Sequence, residues 1–502
     1  MSAKDNKDSS HIAFHQSVNF TFDGVKYKGF KGDTIASALI RNNIKIIGRS
    51  FKYHRPRGIY TCGIEEPNAL VQILSEHNEP NTRATVKQIY EGLKIESQNR
   101  WPSLENDLSS VNNLLSPLFS AGFYNKTFMK PRSFWKKVYE PLIRKAAGLG
   151  KPPKPFKTKS TQLHHHVDIA IVGGGLSGLL AAKSLAKTKL KVLLIEQDSY
   201  LGGILKNSNK VSTIENKNNA TWIKEVETEI EDSKNIKVLK NTLATTYNYI
   251  NHLIAIEDLT TGTMPLEGHA DQILHKIRAD HIVLANGHIE RLISFRNNDL
   301  PGIMLAGSFE KYIQRYGVIP DISPVIFSNN SSSFSLIKKL IDLKCKPQAY
   351  VDSRSGDKIE SNLLDIIHKE NIPLFTNAHV EGCDGKKQVE EISVRDSEGI
   401  ITKLKSKMLC ISGGFNPDVH LFTQSKGVLT WDDQYLTFKP SKSFQNTIVI
   451  GSAGGLFQYS KLVNDIDSKL SFLNHEPIVN INFELNESDN YSIEKLWETK
   501  HE

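Results

Sequence analysis

Residues Asp168–Leu180 (DIAIVGGGLSGLL) constrain this chain more than any other stretch. An apolar run leads into three glycines at G-x-G-x-x-G spacing: Gly173, Gly175 and Gly178. A helical pattern follows from Leu179 to Ala186. A second apolar run, 191–195, ends in Glu196, 18 residues beyond Gly178. The pattern predicts a buried parallel strand, a tight turn, a helix and a second parallel strand. Glycine permits the turn, close approach of backbone to a pyrophosphate, and close helix–strand packing. The helix start offers free N–H groups and a positive dipole end to phosphates. An acid at the position of Glu196 can hold both ribose hydroxyls. The candidate dinucleotide site is therefore Gly173, Gly174, Gly175, Ser177, Gly178 and Glu196. Gly202 and Gly203 join it from the next turn. Asn286 and Gly287 join it where strand 282–287 ends, and Gly451 from a strand that returns late. The motif fits NAD and FAD equally, since both carry an adenosine ribose and a pyrophosphate.

A length of 502 residues predicts two to four domains, and 39% hydrophobic with 24% charged residues is enough to build them as globular cores. Four cysteines, at 62, 345, 383 and 410, have no metal-ligand spacing and are too few for a disulfide framework. A reducing, cytoplasmic setting is expected. The first ten residues lack the apolar core of a signal peptide, and no uncharged apolar run reaches a membrane span. Residues 126–159 hold eleven Lys or Arg against one acid. No nucleic-acid motif accompanies them, so no nucleic-acid partner is expected; a solvated face or an acidic protein partner fits better.

Taken in order, 1–15 reads as a flexible leader. Residues 18–22 and 25–29 alternate around Asp23–Gly24, a hairpin. Asp33–Thr34 caps an apolar helix, 35–42. Hairpin then helix opens a β-grasp domain of plant-ferredoxin type, assigned to 16–83. Such a domain can carry a [2Fe–2S] cluster on four cysteines. Only Cys62 stands near the expected loop, so a ferredoxin-like domain lacking its cluster is predicted. Loop 48–58 is rich in basic and aromatic side chains. It is either an anion site or a loop pinned to another domain. Residues 84–160 read as a connector or interface region, dense in aromatics (Trp101, Phe119, Phe123, Tyr124, Phe128, Phe134, Trp135, Tyr139), and Lys151–Pro155 reads as a stiff linker. Three adjacent histidines, 164–166, cannot all face one ion on a strand, so no metal is assigned.

The dinucleotide-binding domain is assigned to 161–322 and 405–472, with 406–414 and 447–455 as strands returning to it. A second strand–helix–strand unit, 323–404, has the turn Asn329–Ser332 without glycine. Backbone there cannot approach a pyrophosphate closely, so this unit is predicted to be degenerate. The tail, 473–502, shows no obvious fold. The predicted class is α/β, a Rossmann-type fold with two dinucleotide-binding domains behind the small β-grasp domain. No triad, carboxylate pair or reactive cysteine motif stands out, and no catalytic residue is assigned.

Several motifs resemble the α subunits of heterotetrameric sarcosine oxidases. They are 48–58 (GRSFKYHRPRG) with 65–71 (EEPNALV), and 90–93 (YEGL) with 97–103 (SQNRWPS). Residues 113–119 (NLLSPLF), 121–124 (AGFY) and 126–129 (KTFM) continue the likeness, as do 139–144 (YEPLIR) and 146–150 (AAGLG). Asn298–Asp299, Pro301–Gly302 and 412–417 (SGGFNP) extend it. The resemblance implies a multi-subunit enzyme that demethylates sarcosine to glycine, forms peroxide and passes a one-carbon unit to tetrahydrofolate. It implies NAD in the Rossmann domain of this chain, without redox turnover and in preference to FAD. It further implies FAD in a β-type subunit, FMN at the interface with that subunit, and small γ and δ subunits. Asn286 departs from the threonine usual in the family. The family's α chain also continues into a folate-binding half; here that half is expected as a separate chain or lost. The chain alone is expected to be inactive. The alternatives are a self-contained FAD-dependent amine or opine oxidoreductase, and a non-catalytic scaffold.

Overall fold

The computed structural model describes residues 4–5, 11–75, 78–114, 130–141, 161–208, 210–263, 270–319, 322–473, 477–478, 481–486 and 488–499. The linker Lys151–Pro155 and the aromatics Phe119, Phe123, Tyr124 and Phe128 lie outside the described residues.

The N-terminal domain is a five-stranded sheet in the order Val25–Lys31, Ala13–Phe22, Leu93–Ser97, Leu70–Ile73, Glu79–Arg83. Ala13–Phe22 and Leu93–Ser97 run parallel at its centre. The sheet therefore extends past residue 83, the boundary expected from sequence. Its helix, Ile35–Arg41, starts in a capping box: Ser37 N donates to Thr34 Oγ1, and Thr34 N donates to Ser37 Oγ. Ile35, Ala36, Ala38 and Leu39 bury that helix against the sheet.

The first nucleotide-type unit has Thr161–Val172 parallel to both Val192–Ile195 and Gln272–Leu284. Ile236–Leu239 continues one side, and Thr447–Val449 adds beside Gln272–Leu284. Helices Leu176–Leu185, Asn219–Asp232 and Leu462–Leu470 pack on one face through Leu179, Trp222 and Ile466. An antiparallel run, Thr242–Asn248, His252–Asp258 and Gln272–Leu284, supplies the other side.

The second unit is a parallel sheet ordered Ile303–Leu305, Leu409–Ser412, Val325–Ser328, Ala349–Asp352, Leu374–Phe375. This corrects the sequence reading. Strand 409–412 returns to the second unit, not the first, and 303–305 starts it. Apolar parallel strands carry no mark of which sheet they enter; neighbours on both faces decide it.

Both ends of the chain also depart from expectation. Lys4–Asp5, inside the expected leader, pairs antiparallel with Val318–Ile319. His11 packs against Tyr200 with ring centroids 4.7 Å apart and planes tilted by 60°. In the tail, Phe483–Leu485 pairs with Val211–Ile214. Farther on, Asn330 bridges to Ile493 and Ser294 to Glu498. Short polar segments gain order here from backbone pairing with edges already built.

Loop 48–58 is pinned rather than open to an anion. Arg55 Nε and Nη2 donate to Asp299 at 2.8 and 2.7 Å, and Arg57 pairs with the same carboxylate. His165 shares a 2.9 Å hydrogen bond with His275, which in turn bonds Glu257 at 2.8 Å. Among the described residues no helix is long and apolar enough to cross a membrane.

Candidate functional site

The strand Thr161–Val172 delivers the chain to Gly173 at φ 105°. A Cβ there would run into the Ala285 carbonyl, and one at Gly178 into the Gly173 carbonyl. These two glycines let the turn and helix close on the sheet. Gly175 differs. It is the N-cap of helix Leu176–Leu185 with no side-chain cap, and a Cβ would meet nothing nearer than Gly203 Cα at 3.9 Å. The helix start therefore faces space with its N–H groups unmasked by a side chain. Gly202 N donates to Gly174 O at 2.8 Å, and Gly175 bridges to Gly202.

Glu196 follows Val192–Ile195 and is 7% exposed. Its Oε2 accepts from Gly174 N at 2.7 Å and its Oε1 from Asp198 N at 2.8 Å. A carboxylate offers about four acceptor positions, so room remains for two hydroxyl donors. Burial, then the neighbouring Asp198, raises the Glu196 pKa; Asp198 is held low by Arg315 at 3.2 Å.

These groups border a cavity of about 850 Å³. Gly173, Gly175, Ser177, Glu196, Gly203, Asn286 and Gly287 line it. Gly174, Gly178, Gly202 and Gly451 are not lining residues. A Cβ at Gly451 would collide with Ser177 Oγ, so this glycine makes room for that side chain. Asn286 Nδ2 donates to Asp418 O at 2.8 Å, while its buried Oδ1 has no hydrogen-bond partner among the described residues.

The cavity has further walls that the sequence did not announce. His288–Glu290 pairs with Phe415–Pro417 where the two units join. Burial lowers the His288 pKa to about 4 and raises that of Glu290 to about 8. Glu290 Oε2 accepts from Gly307 N at 2.9 Å, and the His288 ring lies 4.3 Å from Phe415. The ferredoxin-like domain contributes Cys62–Glu65. The sequence marks that loop for its missing cluster, not as a wall of this cavity.

Residues 15–100 match the family model described as a 2Fe-2S iron-sulfur cluster binding domain, and 171–226 that of an NAD(P)-binding Rossmann-like domain. Sarcosine oxidase subunit alpha of Rhizobium meliloti (strain 1021) is 38% identical over 439 residues, 87% of this chain and 44% of that protein. The same subunit of Corynebacterium sp. (strain U-96) is 27% identical over 88% of this chain and 42% of its own length. The chain is a homologue of the sarcosine oxidase α subunits. It spans less than half the length of these relatives. Among solved structures, L-proline dehydrogenase from P. horikoshii superposes with TM-score 0.62 over 94% of this chain and 75% of that one, at 20% identity. That likeness shows a shared fold.

In this homologue the second unit holds its own counterpart of the acid, Asp352, and uses it differently. Arg354 is fully buried and donates to Asp352 through Nε at 3.0 Å and Nη2 at 2.8 Å. Arg354 N and Tyr350 Oη donate to the same carboxylate. The turn ahead of it is filled as well. Asn329 Nδ2 donates to Glu494 O and Leu496 O, and Ser331 N to Ser492 O at 3.1 Å. The C-terminal segment thus lies across the turn where a phosphate would approach.

Proposed function

We propose that this chain is the dinucleotide-holding α-type subunit of a sarcosine oxidase. The observation that carries the reading is the open cavity of the first unit, with Glu196 half-engaged, beside a second unit closed by its own side chains. A reductase that passes hydride from nicotinamide to flavin needs two working pockets; the described residues leave the first unit's turn open and fill the second's. NAD is the ligand that best fits the homology. Its pyrophosphate would lie at the start of helix Leu176–Leu185, where Gly175 leaves space, and its adenosine ribose would donate to Glu196. The same acid disfavours a 2′-phosphate by like charge. The orphaned Asn286 Oδ1 fits a cavity completed by a ligand with N–H or O–H donors.

The redox chemistry of the complex is supplied by FAD in a β-type subunit and FMN at the interface with it. The substrate is sarcosine, and tetrahydrofolate is bound by a folate-type domain outside these residues. This chain binds and orients its dinucleotide, excludes water with the wall of Phe415 and His288, and docks partners. Phe134 and Trp135, 48% and 47% exposed beside Lys136 and Lys137, belong to the docking surface. Small γ- and δ-type subunits complete the assembly, in the cytoplasm.

The test is to purify the chain, denature it and identify the released nucleotide by mass. NAD is expected. Sarcosine-dependent peroxide should then appear only when the β-type subunit is supplied. Peroxide formation by the lone chain with free FAD would overturn the subunit reading in favour of a self-contained oxidoreductase.

A further inference from the structure

The N-terminal domain presents a disagreement between its fold and its donor set. A [2Fe–2S] cluster of ferredoxin type needs four ligands, and hydrogen bonds to its sulfurs stabilise the anion. Residues 15–100 contain one cysteine, Cys62. Its side chain is buried, and burial pushes the thiol up to about 11. A cluster does not fit these residues.

A carboxylate occupies the middle of the same loop. Glu66 is 1% exposed. Its Oε2 accepts from Tyr60 N at 3.0 Å, Thr61 N at 2.6 Å and Thr61 Oγ1 at 3.1 Å. Its Oε1 accepts from Asn68 N at 2.7 Å and Ala69 N at 3.0 Å. Backbone from both sides of the loop therefore converges on one anion. Hydrogen bonds to a charged acceptor are about twice as strong as neutral ones. The loop so gathered is held from outside too. Tyr312 Oη donates to Thr61 O at 3.0 Å, Leu305 N to Tyr60 O at 3.0 Å, and Thr85 Oγ1 to Gly63 O at 2.6 Å. Its inner residues, Cys62–Glu65, line the 850 Å³ cavity.

We propose that Glu66 has taken over the loop-ordering role of an iron–sulfur cluster, and that the loop it gathers is the fixed wall closing the dinucleotide cavity on the side of the ferredoxin-like domain. Glu66 is a positioning residue: it does not line the cavity and acts through Cys62–Glu65. The domain has thereby passed from a candidate electron carrier to part of a nucleotide site. The wall's effect on a dinucleotide rests on the binding reading above; the ordering of the loop does not.

The test compares wild type with Glu66→Gln in the nucleotide-free protein. Backbone exchange should accelerate at least about tenfold at Tyr60, Thr61, Asn68 and Ala69, because the amide cannot accept from all four, with little change at Leu93–Ser97. Affinity for added NAD should fall about tenfold in the same variant. Glu66→Ala provides the second arm. Added acetate should restore amide protection and NAD affinity, and acetamide at equal concentration should not. If Glu66→Gln fails to accumulate, refolding Glu66→Ala in acetate decides: recovery supports the proposal and no recovery overturns it. Unchanged exchange in Glu66→Gln, equal rescue by acetamide, or stoichiometric iron and sulfide after anaerobic purification would each overturn it. If wild type binds no dinucleotide, the binding reading fails while the exchange data still judge Glu66.

Discussion

Glu196 and Asp352 each end the second strand of a strand–helix–strand unit, yet their carboxylates have opposite fates. Glu196 receives two backbone N–H groups and borders a cavity. Asp352 receives Arg354 Nε, Nη2 and N together with Tyr350 Oη, and is fully buried. One acid keeps acceptor capacity for a ligand; the other is saturated by its own chain. The turns repeat the contrast. Gly175 leaves empty space at a helix start, whereas Asn330 fills its turn by donating to Ser412 O and accepting from Ser332 N. Identical topology therefore carries no function by itself; the function lies in which polar groups remain unsatisfied.

Breaking the buried pair should have the largest effect. Asp352→Ala leaves Arg354 charged and without its carboxylate, a loss of about 3–5 kcal/mol in chemical denaturation. NAD affinity of the folded fraction, measured by calorimetry, should stay at the wild-type value. Glu196→Ala should do the reverse. Charge-assisted hydrogen bonds to ribose are worth about 1.5–3 kcal/mol, so affinity should fall roughly ten- to a hundredfold.

Two alanine substitutions sharpen the comparison within the glycine turn. At Gly178 the new methyl meets the Gly173 carbonyl, and unfolding should come about 1–3 kcal/mol earlier. At Gly175 the space is open, so stability should change by less than about 0.5 kcal/mol while NAD affinity drops.

A pH-dependent effect concerns the strand that joins the units. Glu290 has its folded pKa raised from 4.5 to about 8. The folded state then binds more protons than the unfolded one between those values, and the stability this group contributes falls as pH rises through that window. Glu290→Gln should flatten the decline in melting temperature between pH 5 and 8. His288 acts at the other end. Its folded pKa is lowered from 6.5 to about 4, so its contribution is lost as pH falls through that range.

Much of the first unit was legible because one residue type at fixed spacing does one job: glycine where a carbonyl comes too close, an acid after a strand. The N-terminal hairpin and the helix capped by Thr34 were legible for the same local reason. What was hidden is non-local. Nothing near Asp299 announces that Arg55 and Arg57, some 240 positions earlier, will converge on it. The tail reads as polar and irregular because it is ordered by pairing with distant backbone, at Val211–Ile214 of the first unit and at Asn330 of the second. Glu66 carries no mark of burial in the sequence, since the four N–H groups that surround it come from a loop with no periodic pattern.

The ferredoxin-like domain shares one apolar cluster with the second unit: Ile35, Leu39 and Val71 belong to the same core as Tyr312, Tyr316 and Ile337. During synthesis the first group leaves the ribosome at least about 240 residues ahead of the second. At about 5–20 residues per second the nascent domain waits roughly 12–50 s with that flank uncovered. The order of translation thus leaves that flank bare until the helix Ala306–Tyr316 arrives to cover it.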